Sequence, residues 1–350
     1  MSEQVRAALA SVIEGRSLSI DEARLAMGSV MDGEATPAQL AALLVALRMR
    51  GETVDELAGF AMAMRERVLQ VVAPPGTIDV VGTGGDGSNT FNISTTSALV
   101  VAAAGVPVAK HGNRAITSKS GAADVLEALG VRVDHDAGSA ADDMRTFGFA
   151  FLFAPVFHPA MRHAGPTRRE IGVRTAFNLL GPLTNPAGAR RALIGVGDAS
   201  AAPRIAEVAR RLGTERTLVV CGKGVDELPL DGSGVIRDVT QAGIHEQTID
   251  PGAVGLRAAA TSDLAGGTAA ENAALTVSIL EGHGDARRDV VLLNAGAAFV
   301  AAGRVRAVTN GIALAAETID SGAARQLLER LRDAKRAFDA ERSSEAGKAS

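Results

Sequence analysis

Residues 78–110, IDVVGTGGDGSNTFNISTTSALVVAAAGVPVAK, decide the fold class. Ile78–Val81 is a short apolar run suited to a buried strand, and the glycine-rich stretch after it is a turn. Thr95–Ala104 has helical length and composition, and Val106–Ala109 is a second apolar run. Strand, helix and strand in that order form the unit of a parallel sheet with helices on its faces. The alternation continues through strands at Val131–Val133, Phe149–Phe153, Leu193–Val196 and Leu218–Cys221. Helices are expected between them over Ala122–Leu129, Ser139–Thr146 and Ser200–Leu212. Past Asp250 the pattern becomes wholly helical, over Ala270–Leu280, Asp289–Ala302, Ile312–Ile319 and Ala323–Ala340. The last ten residues read as a frayed polar tail.

Toward the N-terminus the texture differs, because the first seventy residues carry only helix signals. Ser19-Ile-Asp-Glu22 and Thr53-Val-Asp-Glu56 are capping boxes, in which a hydroxyl takes an orphan backbone N–H and the acid three residues on reaches back. Thr36-Pro37-Ala38-Gln39 adds proline at the first helical position. Leu40, Leu43, Leu44 and Leu47, then Leu57, Phe60, Ala61 and Met64, recur at helical spacing. Pro74-Pro75 ends this stretch. The expectation is an α/β protein: a small helical domain, residues 1–73, joined in space by helices near 168–186. A large domain, residues 74–350, then carries a mostly parallel sheet flanked by helices.

Composition narrows the function. A hydrophobic content of 47% supports a full core, and the longest apolar run, Ala98 to Ala109, is too short for a membrane span. The N-terminal segment lacks the order of a secretory signal, and Cys221 stands alone, so neither an intramolecular disulfide nor a Cys-based zinc cluster is expected. These readings point to a cytoplasmic protein. Lys and Arg number 36 against 40 Asp and Glu, a net charge of −4, which disfavours a general nucleic-acid binder.

Four clusters carry chemistry. In Gly82-Thr-Gly-Gly-Asp-Gly-Ser-Asn-Thr-Phe-Asn-Ile-Ser-Thr95, glycines let backbone N–H groups approach an anion, and the following helix N-terminus adds unpaired donors. Gly82, Gly84 and Gly87 match a dinucleotide fingerprint formally, but the next strand ends in Lys110, where a ribose-binding acid is wanted. A cation there suits a second phosphate; the plain alternative is a tight strand-to-helix turn. Lys110-His-Gly-Asn-Arg114 and Thr117-Ser-Lys-Ser-Gly121 bring three cations, an amide and three hydroxyls to the end of that strand. His111 is a candidate general base or, preferred here, a packed hydrogen bonder. Asp226-Glu227, just past another strand end, is the ordinary way to hold Mg²⁺ beside phosphates, with the Ser94 hydroxyl as a further oxygen. Arg168, Arg169 and Arg174 offer planar donors for a carboxylate, and spacing does not choose among them.

GTGGDGSNTFNIST, AKHGNRAITSKSGAADVLEALG, FLFAPVFHPAMRHAGPTRREIGVRTAFNLLGPLTNPAG and RRDVVLLNAGAA together strongly resemble the anthranilate phosphoribosyltransferase family of tryptophan biosynthesis, from about Ala7 to Ala334. The resemblance implies the fold of the class II nucleoside phosphorylases, a homodimer through the helical domains and Mg²⁺, with two ions, as cofactor. It implies the substrates anthranilate and phosphoribosyl pyrophosphate (PRPP), with no nucleic-acid or membrane partner. The family's PRPP contacts fall on Gly82, Gly85, Asp86, Thr90, Asn92, Ile93, Ser94 and Thr95. They continue on Lys110, His111, Gly112, Asn113, Arg114, Ala115, Ile116, Thr117 and Ser118, and on Ala122. The metal ligands fall on Ser94, Asp226 and Glu227, and the anthranilate contacts on Gly82, Asn113 and Arg168, so the family selects the arginine. No residue is assigned as acid or base.

Two positions depart from the family pattern. Ala122 stands where serine is common, so a contact there runs through the backbone. Cys221-Gly-Lys-Gly-Val-Asp-Glu227 is one residue shorter than the usual loop and lacks its histidine. Rival readings are a pyrimidine nucleoside phosphorylase, which lacks the FNLLGPLTNP stretch and the arginine, a nucleic-acid-binding relative of the same fold, which predicts a basic face, and a dinucleotide dehydrogenase.

Overall fold

Ser19, Thr36 and Thr53 each accept the N–H three residues on, and Glu22, Gln39 and Glu56 return the bond, so all three expected caps are formed. They start α2 (Ile20–Met31), α3 (Pro37–Arg50) and α4 (Val54–Arg65), which follow α1 (Glu3–Ile13). Leu40, Leu43, Leu44, Leu47, Leu57 and Phe60 are all buried in one cluster, as their spacing requires. The computed structural model describes residues 1–115 and 119–349; Ile116, Thr117 and Ser118, expected in the donor site, lie outside the described residues.

The sheet has seven strands in the order β3-β2-β1-β4-β5-β6-β7. They are β1 (Ile78–Gly82), β2 (Val108–Gly112), β3 (Phe149–Phe153), β4 (Arg191–Gly195), β5 (Arg216–Cys221), β6 (Gly234–Thr240) and β7 (Gly243–Ile249). The first five are mutually parallel, and β6 and β7 run antiparallel at the edge. Between β1 and β5 the chain forms α5 (Ile93–Ala103), α6 (Ala122–Ala128), α7 (Ala137–Phe147), α8 (Ala154–Phe157), α9 (Gly165–Ile171), α10 (Phe177–Leu180) and α11 (Ala202–Arg211). After β7 come α12 (Ala269–Leu280), α13 (Ala286–Ala301), α14 (Val308–Asp320) and α15 (Ala323–Ala349).

Strand residues alternate between two cores. Ile78, Val80, Val108, Leu193, Leu218 and Ile236 pack under α5, α13 and α14 in one cluster. Ile194, Val219 and Val239 face α11 and the N-terminal helices on the other side, with Phe177, Leu180 and Leu183 in the same cluster. The segment 164–183 therefore packs with the N-terminal helices although it is remote from them in sequence.

Three expectations need correction. Val131–Val133 is not a strand. Val131 and Val133 are buried in alternation, but the backbone here meets side chains of α15: Arg332 donates to the Leu129 carbonyl at 2.7 Å and Arg132 stacks 3.5 Å from the Phe338 ring centroid. Alternation makes a strand only where a neighbouring strand offers a ladder. The β6–β7 hairpin was not anticipated; its two-residue connection, Gln241-Ala242, carries none of the glycine or asparagine that marks a tight turn. The expected tail is instead the end of α15, which runs on to Ala349, with Arg342 paired to Asp134 at 3.1 Å.

Candidate active site

In this strand order the chain leaves β1 toward β2 on one side, while β4 joins β1 on the other, so a switch point opens between the ends of β1 and β4. Open α/β sheets bind ligands in that crevice, beyond the carboxyl ends of their strands. Gly82 and Gly195 are register partners there. A Cβ on Gly82 would lie 2.1 Å from an Asp226 carboxylate oxygen, and one on Gly195 would lie 1.5 Å from the Asp226 carbonyl. Two glycines side by side are what admit Asp226 to the crevice.

The loop after β1 closes over this residue. Gly84, Gly85 and Gly87 have φ of 68°, 65° and 78°, a region that side chains disfavour. The Gly84 N–H donates to Asp226 Oδ2 at 2.7 Å, and the Asp226 N–H donates to Asp86 Oδ2 at 3.2 Å. Asp86, Asp226 and Glu227 bring carboxylate oxygens within 4.8 Å of one another. Burial, then the neighbouring Asp86 charge, pushes Asp226 up to about 6. Burial, then Asp226, pushes Glu227 well above the usual carboxylate value, and its buried Oε2 has no hydrogen-bond partner among the described residues. Converging acids with a buried oxygen left over are a donor set for a hard divalent cation, whose charge reverses each of these penalties. The shortened loop still delivers both acids: the Gly222 N–H meets the Val225 carbonyl at 3.3 Å, and Gly224 takes the left-handed conformation.

Lys110 lies on the α5 face of β2, fully buried. Its ammonium donates to the Val80 carbonyl at 2.7 Å and to Ser94 Oγ at 3.3 Å. Burial pulls it down to about 8, against the attraction of Asp79, Glu227 and Asp226. Ser94 stands in the first turn of α5, next to Asn92 at its cap and Thr95, which is buried. Asn92 joins the segment before α6 to α12: its amide donates to the Ser120 carbonyl at 3.3 Å and accepts from Asn272 at 2.9 Å. Thr90 is half-buried and pairs across to Ala265.

Past β2, Asn113 is exposed, with its Oδ1 taken by the Arg114 N–H. Arg114 turns toward α6, pairing with Asp124 at 3.0 Å and Glu127 at 2.7 Å. The Ala115 N–H is taken by Asp124 at 2.9 Å, and Ala122 opens α6 beside Gly112. His111 points to the opposite face, where its Nδ1 meets the Gly181 carbonyl at 3.3 Å and its ring lies 5.0 Å from that of His158. Burial, then His158, takes His111 down to about 3, and burial takes His158 down to about 4. Both rings are neutral at physiological pH.

The three arginines separate cleanly. Arg169 is exposed. Arg174 donates to the Gly85 carbonyl at 2.8 Å and the Gly84 carbonyl at 3.3 Å, tethering the glycine loop. Arg168, in α9, stacks 4.7 Å from the Phe177 ring centroid and has no carboxylate partner among the described residues. Burial lowers its affinity for its proton. A half-buried, uncompensated guanidinium suits an anionic ligand.

Sequence reasoning placed Asp86 among phosphate contacts and did not anticipate it as the third carboxylate of the cluster. It also missed the Arg174 tether and Asn272. Asn272 accepts the Gly267 N–H at 2.7 Å while holding Asn92. The isolated amide in α12 carries no motif, so only the tertiary packing reveals it.

Comparison with known proteins accords with this geometry. Residues 6–68 match the glycosyl transferase family helical bundle domain, and residues 74–325 its a/b domain. The anthranilate phosphoribosyltransferase of Azorhizobium caulinodans is 49% identical over 96% of this chain and 98% of its own length. That of Xanthobacter autotrophicus is 50% identical over 94% of this chain and 96% of its own. The crystal structure of the Thermus thermophilus enzyme superposes with a TM-score of 0.89 at 47% identity, covering 94% of this chain and 99% of that one. The Saccharomyces cerevisiae enzyme in complex with PRPP and Mg gives 0.88 at 28% identity, covering 96% and 99%. With nearly its whole length matched at about half identity, the chain belongs to the anthranilate phosphoribosyltransferase family.

Proposed function

We infer that this chain is a Mg²⁺-dependent pentosyltransferase. It transfers the 5-phosphoribosyl group of PRPP to the amine of anthranilate, giving N-(5-phosphoribosyl)-anthranilate and pyrophosphate. This is the second step of tryptophan biosynthesis from chorismate. The observation that carries the reading is the acidic cluster at the switch point of the sheet, in a chain that matches relatives of that activity end to end.

PRPP lies over the β1–α5 and β2–α6 loops. Backbone and side-chain donors of Gly82, Gly85, Thr90, Asn92–Thr95, Lys110, Gly112–Ser118 and the Ala122 backbone take its phosphates, with Asp86 and His111 beside them. Ser94, Asp226 and Glu227 hold Mg²⁺, two ions in all, which neutralise the charge of the pyrophosphate when bound. Gly82, Asn113 and Arg168 seat anthranilate, the guanidinium pairing with the carboxylate. The C1′–O bond breaks with its electron pair going to pyrophosphate, the amine nitrogen forms the C1′–N bond, and the nitrogen then sheds a proton. No strong base is needed, which agrees with the neutral, packed His111. The protein contributes positioning and electrostatic stabilisation of the leaving group.

The domains are 1–73, joined in space by 168–186, and 74–350, and their closure keeps water from the ribose. The chain is a cytoplasmic homodimer. Ile13, Leu25 and Met49 on the N-terminal helices are 69%, 62% and 84% exposed, which supports a partner surface there. Among the described residues, no helix is long and apolar enough to cross a membrane. Incubation with PRPP, anthranilate and Mg²⁺ is expected to generate the fluorescent product. Phosphorolysis of pyrimidine nucleosides without anthranilate turnover would overturn the reading, and a monomer by sedimentation at micromolar concentration would remove the dimer.

A further inference from the structure

Resting on that reading and deepening it, we propose that Asp79 and Asn185 are a positioning pair, tying the backbone where the donor loop leaves β2 to the turn that ends the acceptor-arginine segment. The paired register between β1 and β2 consists of one pair, Ile78 with Val108, and beyond it side chains take over the ladder groups. On one face the Lys110 ammonium occupies the Val80 carbonyl. On the other, Asp79 Oδ1 accepts the His111 N–H at 3.2 Å. Asn185 Nδ2 donates to Asp79 Oδ2 at 2.7 Å and to the Ala109 carbonyl at 2.8 Å, while its Oδ1 accepts the Ala187 N–H at 2.8 Å.

Asp79 is 1% exposed and Asn185 7%. A carboxylate in the middle of a sheet is costly, and burial pushes this one up to about 6. An apolar residue of the same size would spare that cost in the strand, yet it would orphan the His111 N–H and one amide proton of Asn185. Asp79 is not among the residues assigned to donor, acceptor or metal, so the chemistry itself does not call for it. What its oxygens hold is two segments far apart in sequence: the start of 111–118, and the turn at 181–186 that follows Arg168. Joining them sets the phosphoribosyl donor and the acceptor carboxylate in one frame, and a drift of either loop misplaces the amine relative to C1′.

The test measures KM for PRPP, KM for anthranilate, kcat, thermal midpoint and hydrogen exchange over residues 109–113 in Asp79→Asn, Asn185→Ala and the double variant. In Asp79→Asn an amide NH₂ meets either the His111 N–H or the amide NH₂ of Asn185, and Asn185→Ala deletes all three bonds of that side chain. The expected result, well below the melting temperature, is a fall in kcat/KM of about tenfold or more in each single variant, faster exchange at His111, and a double variant no worse than the poorer single. Where Asp79→Asn does not fold, Asn185→Ser carries the same comparison. Wild-type kinetic constants in the folded fraction with only a lower midpoint, or additive losses, would overturn the proposal and leave the pair as a brace of the sheet. Failure of the parent reading is separate: the unmodified chain would then make no phosphoribosyl-anthranilate, while the exchange measurement would still report on the pair.

Discussion

Replacing Arg168 with alanine tests the acceptor site, because the structure makes its two possible roles predict opposite outcomes. If the guanidinium braced its segment, it would hold carbonyls or acids there. The 175–178 turn is instead held by Asn178, whose Oδ1 accepts the Thr175 N–H at 2.9 Å. Among the described residues Arg168 has only the Phe177 ring, an attraction of about 0.5–1 kcal/mol that its own desolvation opposes. Arg168→Ala is therefore expected to leave the ligand-free thermal midpoint close to that of the parent. Loss of a charge-assisted hydrogen bond to the anthranilate carboxylate costs about 1.5–3 kcal/mol, hence a roughly ten- to hundredfold rise in the anthranilate KM, with that for PRPP little changed. Arg174→Ala provides the contrast, since it frees the Gly84 and Gly85 carbonyls and is expected to raise the PRPP KM first. Steady-state kinetics followed by product fluorescence, with calorimetric midpoints on the same samples, measures all of this. A silent Arg168→Ala beside a selective anthranilate defect in Arg174→Ala would show that the other arginine is the clamp. A lower midpoint with both KM values drifting together would return Arg168 to a structural role.

The remaining predictions concern the acids, the strand ends and acid lability. Asp226→Asn with Glu227→Gln is expected to abolish nearly all turnover while raising the metal-free midpoint at pH 8. A carboxylate raised to about 6 from 3.8 costs the fold up to about 3 kcal/mol above its folded pKa, a cost relieved as pH falls toward 3.8; a lower midpoint would refute this sign. Gly195→Ala drives a methyl into the Asp226 carbonyl, so Mg²⁺-dependent activity should collapse with a stability loss of about 1–3 kcal/mol, and near-normal activity would mean the strand ends do not fix the loop. His158, held down to about 4 against 6.5 when unfolded, contributes stability that is full above pH 6.5 and falls with pH. By pH 5 the loss is about 2 kcal/mol, which should be absent from His158→Phe in melts at pH 8 and pH 5.

Much of the molecule was legible from local signals. The caps at Ser19, Thr36 and Thr53 formed as read, because a capping box is completed within four residues and needs no tertiary partner. Phe149–Phe153 matches its strand end for end, being a bulky apolar run between turns. The failures share a different cause. Val131–Val133 alternates correctly but meets α15, and the β6–β7 hairpin turns through residues with no turn signature. Whether an extended segment becomes a strand depends on what lies beside it, which local composition does not state.

The site follows the same division. The glycine loop, Lys110 and the Asp226-Glu227 pair stood out as candidates because phosphate and metal chemistry demand particular residue types in one stretch, and the fold brings the acids beside the glycine loop. The sequence also contained Gly195, Arg174 and Asn272, but their roles exist only across strands and loops. Gly82 could be read as a residue that lets backbone approach an anion. In the fold it also makes room, with its register partner Gly195, for the carboxylate wedged between β1 and β4. Asp86 shows why the distinction matters: its position in the loop suggested a phosphate neighbour, whereas its carboxylate joins Asp226 and Glu227 and deepens the charge that a cation must relieve. The strength of that demand comes from burial beside Gly195, on a strand more than a hundred residues away in sequence from the loop that carries Asp86. A candidate metal site of this kind is specified by which strands are neighbours, so its acids can be guessed from motifs while its electrostatics emerge only with the topology.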